Sequence, residues 1–265
     1  VTGTVTTFAY DHHNRITETE TRDAGGTLLT KASYDHDGLG RRIRRTVNGL
    51  VTVTAYSGDH PWADFAENGS LLTRYLYCNR VDAILARHNP SAGASWYLTD
   101  QLGTVYDLAT AAGNIANTNT LDSFGNLLNQ TDAAQADRFV FTGREFDAES
   151  GLYYYRARHY DPFAGRFVSE DPLGFDGGDV NLYRYVNNNP LAGTDPYGEV
   201  ATAEYLSLLC TLASTASFAK SLESVFVPVL EGVADGLGGL PVDSDQIVSD
   251  LQDNLTDFLK GAIMP

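Results

Sequence analysis

The sequence predicts a mainly β fold. Antiparallel hairpins are expected over residues 1–198, followed by a short α-helical region over 199–265. Three observations carry this. Asn-Gly and Gly-Gly pairs separate short β-prone runs in the first part, and Asn-Gly in that setting is the strongest short-range hairpin signal. No long helical apolar period appears before residue 199. Composition also changes there: all six His, both Trp and 14 of 15 Tyr come earlier, whereas the tail holds ten acids, two Lys and no Arg.

The turns can be read in order. Gly25-Gly26 divides a run over residues 15–21 from Thr27-Leu28-Leu29. Asn48-Gly49 separates Arg44-Arg45-Thr46-Val47 from Leu50-Val51-Thr52-Val53-Thr54, and Asn68-Gly69 precedes a run over 71–77. Ala112-Gly113-Asn114 and Phe124-Gly125-Asn126 supply further turns.

An irregular repeat underlies these turns. Tyr10-Asp11 is followed by Asn14-Arg15-Ile16, Tyr34-Asp35 by Gly38 and Gly40-Arg41-Arg42-Ile43, and Leu121-Asp122 by Gly125-Asn126-Leu127. The Tyr is expected to end a strand and pack on the sheet. The Asp is expected to accept turn N–H groups, and the Gly or Asn to take positive φ. Hairpins stacked in this way bury a face only against their neighbours.

The tail reads as helical. Val225, Val229, Val233 and Leu237 recur every four residues, and Gly236, Gly238 and Gly239 end that run. Asp243-Ser244-Asp245 offers caps for a stripe of Ile247, Val248, Leu251, Leu255, Phe258 and Leu259. A third candidate helix carries Tyr205, Leu206, Leu208, Leu209 and Leu212. The stripes are expected to bury, leaving Glu223, Glu231, Asp250, Asp253 and Asp257 outward.

Composition excludes several classes. With 43% hydrophobic and 20% charged residues the chain can build a core. A net charge of −16 repels nucleic acid and anionic membrane. No run reaches the ~20 apolar residues of a membrane-spanning helix. Cys78 and Cys210 are expected as two separate thiols. The chain starts at Val1 and its one Met is Met264, so it is expected to be a piece of a longer protein.

The middle of the chain carries a resemblance. Trp96-Tyr97-Leu98-Thr99-Asp100-Gln101-Leu102-Gly103 is one recurring segment. Others are Arg138-Phe139-Val140-Phe141-Thr142-Gly143-Arg144-Glu145, Gly151-Leu152-Tyr153-Tyr154-Tyr155-Arg156-Ala157-Arg158-His159-Tyr160-Asp161-Pro162 and Gly165-Arg166-Phe167. Asp171-Pro172-Leu173-Gly174, Asn188-Asn189-Pro190 and Asp195-Pro196-Tyr197-Gly198 complete the series. In this order they resemble the RHS/YD-repeat family and its RHS-repeat-associated core. The resemblance implies a YD-repeat hairpin segment over 1–135, a core over 136–198 that closes a curved β-shell, and a variable region over 199–265. It further implies that the core can be an aspartic autoprotease cutting just after the second Asp-Pro-x-Gly.

Asp171 and Asp195 are the chemical candidates, 24 residues apart. Spacing alone allows two readings. Asp-Pro-x-Gly makes a turn with Asp at the first position. Alternatively, two carboxylates brought together share a proton, one serving as acid and the other as base. The resemblance adds Arg166, which precedes the first Asp-Pro-x-Gly, to hold a carboxylate or substrate carbonyl. It also implies a cleavage site at Glu199–Val200 or an immediate neighbour. The family carries an apolar residue where this chain has Glu199. A third carboxylate at that point is expected to leave the chain joined or cut slowly.

The run Tyr153-Tyr154-Tyr155 with Arg156 and Arg158 could be a nucleic-acid platform, but the acidic balance and the resemblance favour strand packing. His12, His13, His36, His60, His88 and His159 lack metal-ligand spacing, and no cofactor or metal is expected. Three functions stand beside one another. One is a shell end of a secreted or cell-surface polymorphic toxin with an autoprotease. Another is a structural or adhesive teneurin-like shell. The last is an enzymatic tail, against which the absence of His and Arg after residue 198 argues. Expected partners are the upstream repeats, the tail, and an immunity or secretion-system protein, with no nucleic acid and no direct membrane span.

Overall fold

The computed structural model describes residues 3–199 and the strand pair partner Thr202–Ala203. Twelve strands form one antiparallel sheet in chain order. They are β1 (Val5–Tyr10), β2 (Ile16–Arg22), β3 (Leu28–His36), β4 (Arg42–Val47), β5 (Leu50–Ser57) and β6 (His60–Ala66). The meander continues through β7 (Leu71–Tyr77), β8 (Ile84–Asn89), β9 (Gly93–Thr99), β10 (Val105–Thr110), β11 (Ile115–Leu121) and β12 (Leu127–Gln130). The helices expected over 199–265, and Cys210 among them, lie outside the described residues.

The turns form as their residues dictate. Asn48-Gly49 makes a two-residue hairpin, with φ of 48° and 87°, placing Val47 opposite Leu50. A second turn type recurs along the chain. Asp11, Asp23, Asp37, Asp100 and Asp122 each accept the N–H groups two and four residues on, at 2.8–3.0 Å. The fourth residue is Asn14 or a Gly at positive φ, the left-handed position that these residues tolerate. Each turn shifts the strand register by one residue, a bulge that bends and twists the sheet.

Two details of the expected repeat change. In the second copy the turn is built by Asp37, and Asp35 sits exposed on β3 beside Arg44. Both acids have a glycine three residues on, Gly38 after Asp35 and Gly40 after Asp37, but only Gly40 takes the positive φ that the turn requires. Tyr34 is buried as expected, but Tyr10 is 42% exposed on the edge strand β1, where only one neighbouring strand covers it. Asp37→Ala should therefore cost about 1–2 kcal/mol by stripping two N–H groups of their acceptor, and Asp35→Ala less than about 0.5. Urea denaturation of the two variants checks the assignment.

Residues 136–199 cover one face of the meander. β13 (Glu145–Asp147), β14 (Leu152–Tyr155), β15 (Arg158–Asp161) and β16 (Arg166–Phe167) make a four-stranded antiparallel sheet, and β17 (Gly193–Thr194) pairs with β18 (Thr202–Ala203). Helix among the described residues is limited to three short 3-10 turns, at Phe141–Gly143, Gly174–Gly177 and Val186–Asn188. The main core joins Val140, Phe141, Tyr153, Tyr155, Tyr160, Phe167, Tyr185 and Val186. Ile16, Ala32 and Tyr34 of the meander close over Leu152, and Tyr75, Ile84, Tyr97, Val105 and Leu108 over Phe139.

The buried tyrosines keep their hydroxyls satisfied. Tyr153 and Tyr160 donate to the carbonyls of Gly125 and Phe124, both at 2.8 Å. Ion pairs cross the same interface. Arg42 of β4 reaches Asp147 at 2.6 Å and Glu145 at 3.0 Å. Arg138 binds Asp64 and Glu145, and Asp82 binds both Arg144 and Arg156. Burial alone would raise the Glu145 carboxyl, but Arg138, Arg42 and Arg144 hold it at about 2.

Candidate active site at the paired aspartates

Asp171 and Asp195 are each built into a turn of the repeated kind. Asp171 Oδ1 accepts Leu173 N–H at 2.8 Å, and Gly174 N–H bonds the Asp171 carbonyl at 2.9 Å. Asp195 Oδ1 accepts Glu199 N–H at 3.0 Å, and Gly198 N–H bonds the Asp195 carbonyl at 3.1 Å. Pro at the second position pre-sets φ for such a turn. Up to this point both residues act as local turn formers.

Their outer oxygens do something further. Asp171 Oδ2 and Asp195 Oδ2 lie 2.9 and 3.2 Å from the same nitrogen, Nη2 of Arg158. The chain has thus brought to one guanidinium two carboxylates that stand 24 residues apart. The side chains of Arg158 and Asp195 are 3% exposed and that of Asp171 is 10%, so the charges meet away from bulk water. Arg158 also donates to the carbonyls of Gly198 and Leu182 and lies 3.7 Å over the Phe167 ring. Burial draws its guanidinium below its ordinary value, against the opposing pull of Asp171 and Asp195.

The backbone of Glu199 enters the same place. A Cβ added at Gly177 would stand 3.1 Å from Asp171 Oδ2 and 3.4 Å from the Glu199 carbonyl oxygen, so both atoms face one small space. Gly198 is equally constrained. Its φ is +69°, and a Cβ there would meet the Tyr155 carbonyl at 2.5 Å. Ala157 N–H bonds the Tyr197 carbonyl at 3.1 Å, which pins the segment against the β14–β15 turn. Val200 lies outside the described residues.

Arg166 is elsewhere. On β16 the pleat alternates, so Phe167 enters the core while Arg166 stays exposed above the Tyr183 ring at 5.8 Å. The guanidinium at the aspartates is that of Arg158, in the run expected to serve strand packing. A signal was available: an arginine inside a run of buried tyrosines has to find a carboxylate partner. Its neighbour Arg156 does the same with Asp82. A cavity of about 390 Å³ lies apart from the pair, lined by Arg42, Arg87, Asp137 and Arg138 among others. Its charges are already matched, Arg87 to Asp137 and Arg138 to Asp64.

Comparison with known proteins extends this picture. The profile of the Teneurin YD-shell family matches residues 4–191. The chain belongs to the teneurin YD-shell family. This YD-shell chain is 30% identical over 197 residues to the tRNA3(Ser)-specific nuclease WapA of Bacillus spizizenii, covering 72% of this chain and 8% of the relative. It is 31% identical to the toxin protein Tse5 of Pseudomonas aeruginosa, covering 72% of this chain and 17% of the relative. The crystal structure of TcdB2-TccC3 shares the fold, with a TM-score of 0.58 at 21% identity, over 73% of this chain and 10% of that one. The YD-shell chain therefore spans a small fraction of the length of these proteins. Among its described residues no helix is long and apolar enough to cross a membrane.

Proposed function

We propose that this chain forms the closing end of a YD shell and that Asp171 and Asp195 constitute an aspartic autoproteolytic site directed at the Glu199–Val200 bond. One observation carries the reading: both Asp-Pro-x-Gly carboxylates converge on Arg158 Nη2, while the Glu199 N–H bonds Asp195 and the Glu199 carbonyl oxygen faces the same space beside Gly177 as Asp171 Oδ2. Arg158 balances one of the two negative charges, and a single proton balances the other. Protonated Asp171 donates to the Glu199 carbonyl oxygen. Asp195 takes a proton from a water whose oxygen attacks the Glu199 carbon. When the C–N bond breaks, a proton passes to the Val200 nitrogen, leaving a Glu199 carboxyl and a Val200 amine.

Glu199 slows this reaction by adding a third carboxylate, which competes for the single proton. Intact-mass analysis of the expressed parent protein tests the scheme. Glu199→Leu should raise the cut fraction, and Asp171→Asn or Asp195→Asn should abolish cutting. Fast cutting that persists in both Asn variants would exclude the pair as catalyst.

A second reading is a structural, adhesive shell of the teneurin kind. It is favoured by Arg158, which satisfies both carboxylates as they stand, while each also caps its own turn. A chain that stays intact even as Glu199→Leu would decide for it. In either case we propose a secreted or cell-surface setting, with upstream repeats, the 199–265 region and an immunity or secretion-system protein as partners. The tRNA nuclease activity in the WapA name is not carried over, since the 199–265 region lacks His and Arg.

A further inference from the structure

We propose that His159, His36 and Asp147 form an acid-sensitive lock that holds the four-stranded core sheet against the meander at neutral pH and loosens it in acid. The lock lies on the opposite side of β15 from the aspartate pair and does not depend on the autoproteolytic reading. His159 is 3% exposed, and its ring stands 5.4 Å from that of Tyr154 and 6.4 Å from that of Tyr34. Its Nε2 has no hydrogen-bond partner although Asp147 Oδ2 is 3.7 Å away. Asp147 Oδ1 and His36 Nε2 are likewise buried without hydrogen bonds, Arg45 Nε standing 3.8 Å from the former. Buried polar atoms without hydrogen bonds are costly, and a proton on the Nε2 of either imidazole would add a buried charge with no acceptor within hydrogen-bond distance.

The surrounding charges explain why the proton stays out. Arg42 enters from β4 and bonds Asp147 at 2.6 Å, and Glu145 of β13 takes its other arm. Arg45 and Glu149 pair beside Asp147, while Arg15, Asp11 and Asp37 face His36. Burial, reinforced by Arg42, holds His159 well below its ordinary value. Burial, with Arg15 and Arg42, brings His36 to about 4. In the separated state both return to about 6.5.

The direction of the effect follows. A histidine whose pKa is depressed in the closed state contributes stability that is complete above about 6.5 and declines as pH falls below it. One pH unit below that value, His159 alone should favour opening about tenfold, and His36 adds to this. Burial raises Asp147, which acts in the opposite direction. Glu145, held at about 2, releases its share only in much stronger acid. His60, stacked on Tyr77 and also lowered by burial, shares the window and serves as a control.

Amide exchange of β13–β15 in the intact chain tests the lock. After correction for intrinsic rates, protection should fall about tenfold or more between about pH 7.5 and 5.5. It should stay level in the His36→Gln/His159→Gln double variant and still fall in His60→Gln. The same loss in the double variant, or none in the unmodified chain, overturns the proposal. NMR titration of the histidine rings needs no variant: His159 should remain neutral at about pH 5.5, and an ordinary titration near 6.5 overturns it equally.

Discussion

Replacing Asp82 with Ala is expected to destabilise the chain by about 3–5 kcal/mol. Asp82 lies between β7 and β8, yet its carboxylate serves the core segment. It accepts Arg144 Nη1 at 2.7 Å, Arg156 Nη2 at 2.7 Å and Arg156 Nη1 at 3.0 Å. The Arg144 and Arg156 side chains are 4% and 12% exposed, so removing the acid strands two buried cations. Asp82 also sits at φ +59°, which Asn tolerates better than Ala. Asp82→Asn therefore isolates the charge from the backbone and should fall between Ala and the parent. Urea midpoints at unchanged m-value provide the measure. A loss below about 1 kcal/mol for Ala would mean that water replaces the carboxylate and the pairing is dispensable.

Tyr155→Ala should cost a similar amount, about 3–5 kcal/mol. Its ring is fully buried and stands edge-on to Tyr160, Phe167 and Tyr185 at 5.5–5.9 Å. Four rings packed in this way leave nothing free to collapse into the space, so the cavity persists. The hydroxyl has a separate role: it bonds Thr142 at 2.7 Å and Tyr185 at 3.1 Å. Tyr155→Phe keeps the packing and removes only those bonds, which should cost about 1–2 kcal/mol. Equal losses in the two variants would mean that the hydroxyl network, not ring packing, dominates. Thermal and urea unfolding of the pair of variants distinguishes these cases.

The parts of this fold that were readable in the residues are those whose causes are local. Asn48-Gly49 must place two successive residues at positive φ, and few other pairs do so cheaply. Asp122 needs only the N–H groups two and four positions on, so Asp-Ser-Phe-Gly-Asn reads as a turn from its spacing. Even the error over Asp35 was local. Two acids stand two residues apart in that segment, each with a glycine three residues on, so spacing does not separate them; the positive φ of Gly40 places the turn at Asp37.

The candidate site divides along the same line. Asp171 and Asp195 are legible as turn formers, because each opens an Asp-Pro-x-Gly turn, and only the family resemblance joins them as a pair. The guanidinium beside them is that of Arg158 and not of Arg166, because a guanidinium spans several ångströms and its partners depend on which face of a strand it leaves. On β16 the pleat turns Arg166 outward. On β15 the neighbouring positions Arg158 and His159 point to opposite faces, one to the aspartates and one to Asp147. The links between Arg42 and Asp147, 105 residues apart, and between Arg156 and Asp82, 74 apart, have no local signature. Turn chemistry acts over five residues and can be read from five residues. Partners for a buried charge are chosen by desolvation, which acts on whatever the folded chain happens to bring near.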